Sequence, residues 1–172
     1  SLILHAFASL VAEYVGEEEA TLGIVLSGRM GDAKHATAHG PCITTVPFRW
    51  KATHDAQGVH QQLTEALHHQ FVHLTDVAHA IGMDTTLFDV LFSFLPASGA
   101  TATSLPHGVR AWESYMATDF VYALQVTTNE RSNSIVFEST YAPDRVPAEQ
   151  AGLILRQLED RLRTIVNGVG IG

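Results

Sequence analysis

Ser27-Gly28-Arg29, followed by Gly40-Pro41-Cys42-Ile43-Thr44-Thr45-Val46-Pro47-Phe48-Arg49, is the stretch whose reading decides the fold. It reads as two strands separated by a polar, His-containing loop over residues 30–39. The first strand, Thr21 to Leu26, carries the run Leu22-Gly23-Ile24-Val25-Leu26, the pattern of a strand buried on both faces. The second spans Cys42 to Trp50, with Pro47 marking an edge, a bulge or a strand end. Each strand carries an arginine that a free-standing core strand does not need. A buried guanidinium must stay paired, because stripping its partner costs about 3–5 kcal/mol. The local acid near Arg29 is Asp32. The readings are a surface arginine at the strand end, one paired with Asp32, or one whose partner is a carboxylate supplied by a part of the fold outside this chain.

Working outward, residues 2–15 read as a helix with Ile3, Phe7, Leu10, Val11 and Tyr14 on one face and Gly16 as its stop. No capping residue precedes it beyond Ser1, the look of a chain cut from something longer. Residues 57–81 hold a helical pattern whose phase falters near His69–His73, so one helix or two fit equally. Leu87 to Phe94 reads as a strand bounded by Pro96, and residues 96–110 as a low-complexity loop. Trp112 to Tyr115 fits a short strand. Phe120 to Val126 and Ser134 to Tyr141 flank a polar turn and predict an antiparallel hairpin. Pro147 opens a closing amphipathic helix through Ala151, Ile154, Leu155, Leu158, Leu162 and Ile165, ended by Asn167-Gly168. The order predicts an α/β two-layer sandwich, a mixed sheet with helices packed on it, in one domain over residues 1–172.

Composition excludes several classes. An apolar fraction of 46% against 16% charged residues argues for a packed core rather than disorder. No apolar run approaches the ~20 residues that cross a bilayer, and no secretory pattern opens the chain. The lone Cys42 forms no internal disulfide and fits a reducing, cytoplasmic compartment. A net charge of −8 speaks against nucleic acid, which needs a basic stripe.

The reactive-looking residues do not assemble into known motifs. His68-His69 lacks the aspartate and glycine of an HHxxxDG signature, having His73 and Leu74 at those positions. His69 and His73 would share a helix face as two metal ligands must, but only Asp76 or His79 offers a third, and solvent-facing histidines are the simpler account. His35 and His39 read the same way. Ser27 sits in no GxSxG turn, and Cys42 reads as a buried, inert thiol. No glycine-rich phosphate loop is present, and no metal or directly bound cofactor is predicted.

Joint order supplies what no single motif does. "GIVLSGR" (Gly23 to Arg29), "HGPCITTVPFRW" (His39 to Trp50), "HHQFVHLTDV" (His68 to Val77) and "LFDVLFSF" (Leu87 to Phe94) resemble, in sequence order, four conserved stretches of the nonribosomal peptide synthetase condensation domain. The closing "SIVFESTYAPDRVPAEQAGLILRQLEDRL" resembles its last strand, turn and helix, so the likeness covers essentially the whole chain. "ITTVP" is similar to fungal members. The resemblance is to the C-terminal lobe of that domain, within the chloramphenicol-acetyltransferase-like superfamily, whose fold is two acyltransferase-like lobes in a V around a tunnel.

The resemblance implies amide formation between two carrier-bound thioesters, with phosphopantetheine arms entering the tunnel from opposite ends. It fits secondary-metabolite or siderophore biosynthesis. The catalytic HHxxxDG belongs to the N-terminal lobe, so this chain is expected to be inactive alone. Its implied partners are that lobe and the carrier and adenylation domains, and an exposed lobe interface would allow a homodimer. Carried over, Ser27, Gly28, Arg29, Gly40, Thr44, Thr45 and Arg49 fall at the lobe interface or tunnel wall, with Arg29 facing the motif's aspartate. The departures are His73-Leu74-Thr75 for Pro-Phe-Glu, Thr44 for asparagine, and Leu95-Pro96 for polar residues. They leave two alternatives, a degenerate lobe that scaffolds carrier proteins and a lobe of a CoA-dependent acyltransferase.

Overall fold

The computed structural model describes residues 1–27, 42–83, 86–96, 119–129 and 133–168. The expected strand at Trp112–Tyr115 and the loop over residues 30–39 lie outside them. Helix α1 (Leu2–Val15) leads into β1 (Glu19–Leu26) and β2 (Thr44–Lys51). Helices α2 (Ala56–His68) and α3 (Leu74–Ala80) follow, then β3 (Val90–Leu95), β4 (Tyr122–Asn129), β5 (Ser134–Tyr141) and α4 (Ala148–Gly168). The five strands form one sheet in the order β2-β1-β3-β4-β5. β1, β3 and β4 run parallel, and β2 and β5 flank them antiparallel. This is the expected mixed sheet with helices packed on it.

Strand register shows why one face is packed. Val46, Phe48 and Trp50 of β2 stand opposite Ile24, Leu22 and Ala20 of β1. Phe92, Tyr122, Leu124 and Val126 continue that face, and all of them are buried. Helix α1 lies against it. Phe7 is fully buried and meets the rings of Phe92 and Tyr122 at 6.1 Å each. The buried surface of α1 is broader than the stripe read from periodicity, because Leu4, Ala6, Ala8 and Ala12 are buried too. Neighbours on several sides demand that breadth, and the alanines let them approach closely. Gly16 ends the helix at φ 72°, and the Glu17 N–H bonds back to the Ala12 carbonyl at 3.0 Å, a left-handed cap that favours glycine.

The closing helix is tied to the opening one. Arg161 of α4, with 28% of its side chain exposed, donates to Ser9 Oγ and Glu13 Oε2 of α1, each at 2.6 Å. Tyr14 donates to Gln157 at 2.8 Å.

Three expectations change. The run Leu22–Leu26 is not buried on both faces: Ala20, Leu22 and Ile24 face the helices, while Thr21 is exposed and Val25 half-buried on the other side. The described helices cover one face of the sheet only, and Gly23 owes its burial to a ring. Second, the strand read as Leu87–Phe94 begins only at Val90. Phe88 leaves the strand path, stacks on Phe120 at 5.9 Å, and lies where a side chain on Gly23 would stand. The Asp89 carbonyl meanwhile accepts from the N–H groups of Val121 and Tyr122. Third, Cys42 precedes β2 and is half-buried rather than a buried core thiol within the strand. Pro47 sits mid-strand, tolerated because among the described residues β2 is an edge with a single neighbour. The faltering phase at His69–His73 is a break between two helices.

The glycine–ring contact carries a prediction. A Cβ on Gly23 would stand 2.2 Å from Phe88 Cε2 and 2.6 Å from Leu91 Cδ2, closer than packed atoms tolerate. Gly23→Val is therefore expected to lower stability by about 1–3 kcal/mol, despite valine's preference for strands. Phe88→Ala in the same molecule removes the obstacle, so chemical denaturation should show the double variant losing less than the two singles combined. Strict additivity would mean that the ring does not constrain position 23.

Candidate functional site

Parallel β1, β3 and β4 point their carboxyl ends the same way, so Ser27, Leu95 and Asn129 lie at one end of the sheet with the start of β2. Open α/β sheets bind their ligands at this end. The register places Thr44 opposite Leu26 and Thr45 opposite Val25, which brings Ser27, Thr44 and Thr45 together. Gly28, Arg29 and Gly40 fall outside the described residues.

The two threonines face different ways. Thr45 shares the open face of the sheet with Val25, whereas Thr44 lies on the helix side with Leu26. Thr44 Oγ1 donates to the carbonyl of buried Gln70 at 2.7 Å, tying the edge strand to the break between α2 and α3. The asparagine position of the resemblance is thus filled by a hydroxyl with a structural bond.

Arg49 is not part of this group. It lies five positions along β2 from Thr44, roughly 17 Å away at strand rise. It stands opposite Thr21 and pairs with Glu19 at 2.5 Å across the strands, with 61% of its side chain exposed. An exposed ion pair of this kind contributes about 0–1 kcal/mol. The charge that looked unexplained in the sequence has a local partner on the neighbouring strand.

The histidines also separate. His68 closes α2, His69 caps it, and His73 caps α3, so His69 and His73 share no helix face. Both are exposed, and no group of three metal-ligating side chains occurs among the described residues. Apolar side chains gather at the same end as Ser27 instead. Ile43 is 72% exposed beside Thr44, and Phe71 is 58% exposed beside Gln70. Across the sheet, Leu95 of β3 and Val136 of β5 are aligned through Thr127 and exposed as well. Exposed apolar side chains thus share this end of the sheet with Ser27, Thr44 and Thr45.

Sequence reading missed a polar contact on the packed side. Trp50 Nε1 donates to His5 Nδ1 at 3.1 Å, and burial lowers the His5 pKa from its ordinary value. On the same side, burial pushes the Tyr122 phenol up, with the Ser139 hydroxyl opposing. Helical spacing gave no sign that His5 meets a tryptophan. Gly23, by contrast, left a signal, since glycine inside a strand marks the close approach of another group.

No protein-family model matches the chain. Among curated proteins it is 33% identical over 175 residues to the ferrichrome siderophore peptide synthetase of Mycosarcoma maydis, covering 98% of this chain and 4% of that protein. It is 34% identical over 152 residues to the nonribosomal peptide synthetase fso1 of Omphalotus olearius, covering 83% of this chain and 3% of that one. The chain therefore spans only a few per cent of the length of these relatives. Among solved structures, the condensation domain of the Monacolin K polyketide synthase MokA superposes with a TM-score of 0.73 at 15% identity, over 94% of this chain and 40% of that one. At that identity the match speaks for the fold alone. The fungal relatives fit the fungal resemblance of "ITTVP". Likeness to fungal peptide synthetases along nearly the whole chain places it in the nonribosomal peptide synthetase family, and its fold is that of part of a condensation domain.

Proposed function

We propose that residues 1–172 form one lobe of a condensation domain that joins carrier-bound aminoacyl or peptidyl thioesters by amide formation in fungal siderophore assembly in the cytoplasm. In this reading the acceptor amine attacks the donor thioester inside a tunnel between two lobes, and the carrier's phosphopantetheine thiol leaves. The acting histidine belongs to the N-terminal lobe. This lobe supplies a wall through Ser27, Gly28, Arg29, Gly40 and Thr45 and a surface that helps dock carrier domains. Holding both reactants in one frame supplies much of the rate, because it replaces a bimolecular encounter. Adenylation domains load the carriers, so they belong to the same assembly.

The observation that supports this reading best is the match to the ferrichrome synthetase across 98% of the chain, with the uncovered hydroxyl and apolar end of the sheet beside it. The test is complementation. The chain is purified alone and together with the N-terminal lobe encoded upstream, and each sample receives donor and acceptor carriers charged with their thioesters. Intact-protein mass spectrometry should show no amide product with the chain alone and product with both lobes. Product from the chain alone would refute the assignment of chemistry to the other lobe. A lobe pair that binds carriers but forms no product would favour a carrier-scaffolding role, and activity with CoA thioesters would favour a free acyltransferase. Light scattering on the same samples should show the chain alone dimerising through the uncovered end and exchanging that contact for the second lobe. A strict monomer would refute the dimer.

A further inference from the structure

Trp50 lies on the packed face of edge strand β2 with 6% exposure, and its indole N–H donates to His5 Nδ1 of α1 at 3.1 Å. The two rings are 5.9 Å apart and inclined by 56°. An indole nitrogen can only donate. Nδ1 of His5 must therefore carry a lone pair, which makes the ring neutral with its proton on Nε2. A doubly protonated ring has no acceptor to offer, and the indole N–H would then face a second donor in a part-buried site and lose its partner there, which is costly.

We propose that the His5–Trp50 bond is a proton-operated latch between α1 and edge strand β2, opened when His5 takes up a proton. Opening loosens the strand that carries Thr44, Thr45 and Arg49. The inference stands apart from the proposed peptide chemistry, because neither residue belongs to the tunnel wall.

The charged surroundings set its working range. Burial opposes the imidazolium most, His54 in the turn after β2 and Arg161 of α4 oppose it further, and Asp55 favours it. Asp55 is already engaged as the cap of α2, accepting from the Gly58 N–H at 2.7 Å. His5 thus binds its proton less readily in the folded chain than at its ordinary value of 6.5. Between the two values the unfolded chain holds more protons than the folded one, so stability falls as pH falls through that window. The latch is closed at pH well above 6.5.

The test uses the 172-residue chain carrying Trp112→Phe, which leaves Trp50 as its one indole. Trp50 emission is followed from about pH 8 to about pH 5, the span over which a histidine changes charge. A single step with its midpoint below 6.5 is expected, and it should vanish in His5→Gln, whose side-chain oxygen accepts from the indole without titrating. Long-range nitrogen–proton correlation should show the Nε2–H tautomer of His5 at about pH 8. A step that persists unchanged in His5→Gln, or a His5 ring that is charged or protonated on Nδ1 at that pH, overturns the proposal. His5→Leu adds a further check, since its emission at high pH should match the acid form of the parent.

Discussion

Phe7→Ala is expected to destabilise the chain by about 3–5 kcal/mol, the range for deleting a fully buried phenylalanine. Phe7 has no exposed surface, and it stands where α1 meets the middle of the sheet, against Phe92 and Tyr122. Its surroundings cannot collapse into the space it leaves. One wall is a hydrogen-bonded sheet, and α1 itself is held from behind by Arg161 and Gln157 of α4. For a chain of this length the loss corresponds to a fall in melting temperature of roughly 6–20 °C. Thermal unfolding followed by circular dichroism gives the shift, and denaturant titration gives the free energy. Phe7→Leu, which keeps most of the volume, should lose less than about 1.5 kcal/mol. A Phe7→Ala loss below about 1 kcal/mol would mean that α1 does not anchor the core.

The second large effect separates two arginines in the reconstituted two-lobe domain. Under the proposed function, Arg29 meets an aspartate of the other lobe in a site closed to water. Removing one member of such a pair costs about 3–5 kcal/mol, so Arg29→Ala should slow amide formation by about a hundredfold or more. Arg49 has Glu19 beside it and stands mostly in solvent. Arg49→Ala should therefore leave the rate within about fivefold, the reach of a surface pair of up to about 1 kcal/mol. Single-turnover assays with charged carriers measure both. Equal losses at the two positions would remove the basis for singling out Arg29.

Arg49 also shows why the site was only partly legible in the sequence. On a strand read alone, its charge has no visible partner, because Glu19 lies 30 positions earlier and becomes a neighbour only through the register of β1 with β2. Its distance from Thr44 along the strand was readable by counting, yet the resemblance grouped them. The fold was easier to read where the cause is local. The presence of a strand through Leu22 to Leu26 (though not its burial on both faces), the stop at Gly16 and the broken phase after His68 all rest on neighbours in sequence, and the structure follows them. Leu87-Phe88-Asp89 failed for the opposite reason. A Leu-Phe pair just before a strand looks like more strand, and only the vacancy above Gly23, 65 positions back, draws Phe88 off the path. The Trp50–His5 bond is likewise a tertiary event that no periodicity encodes.

Pro47 makes the two margins of the sheet unequal. Along β2 the backbone lacks a donor at mid-strand, so an incoming foreign strand could not zip past that point. Along β5 no proline interrupts Ser134–Tyr141, and Ile135 and Val136 are uncovered near one end with Glu138 as the strand's single charge. Misassembly during refolding therefore has a direction: cross-strand accretion starts at β5, and a charged residue placed at Ile135 would be the economical way to suppress it.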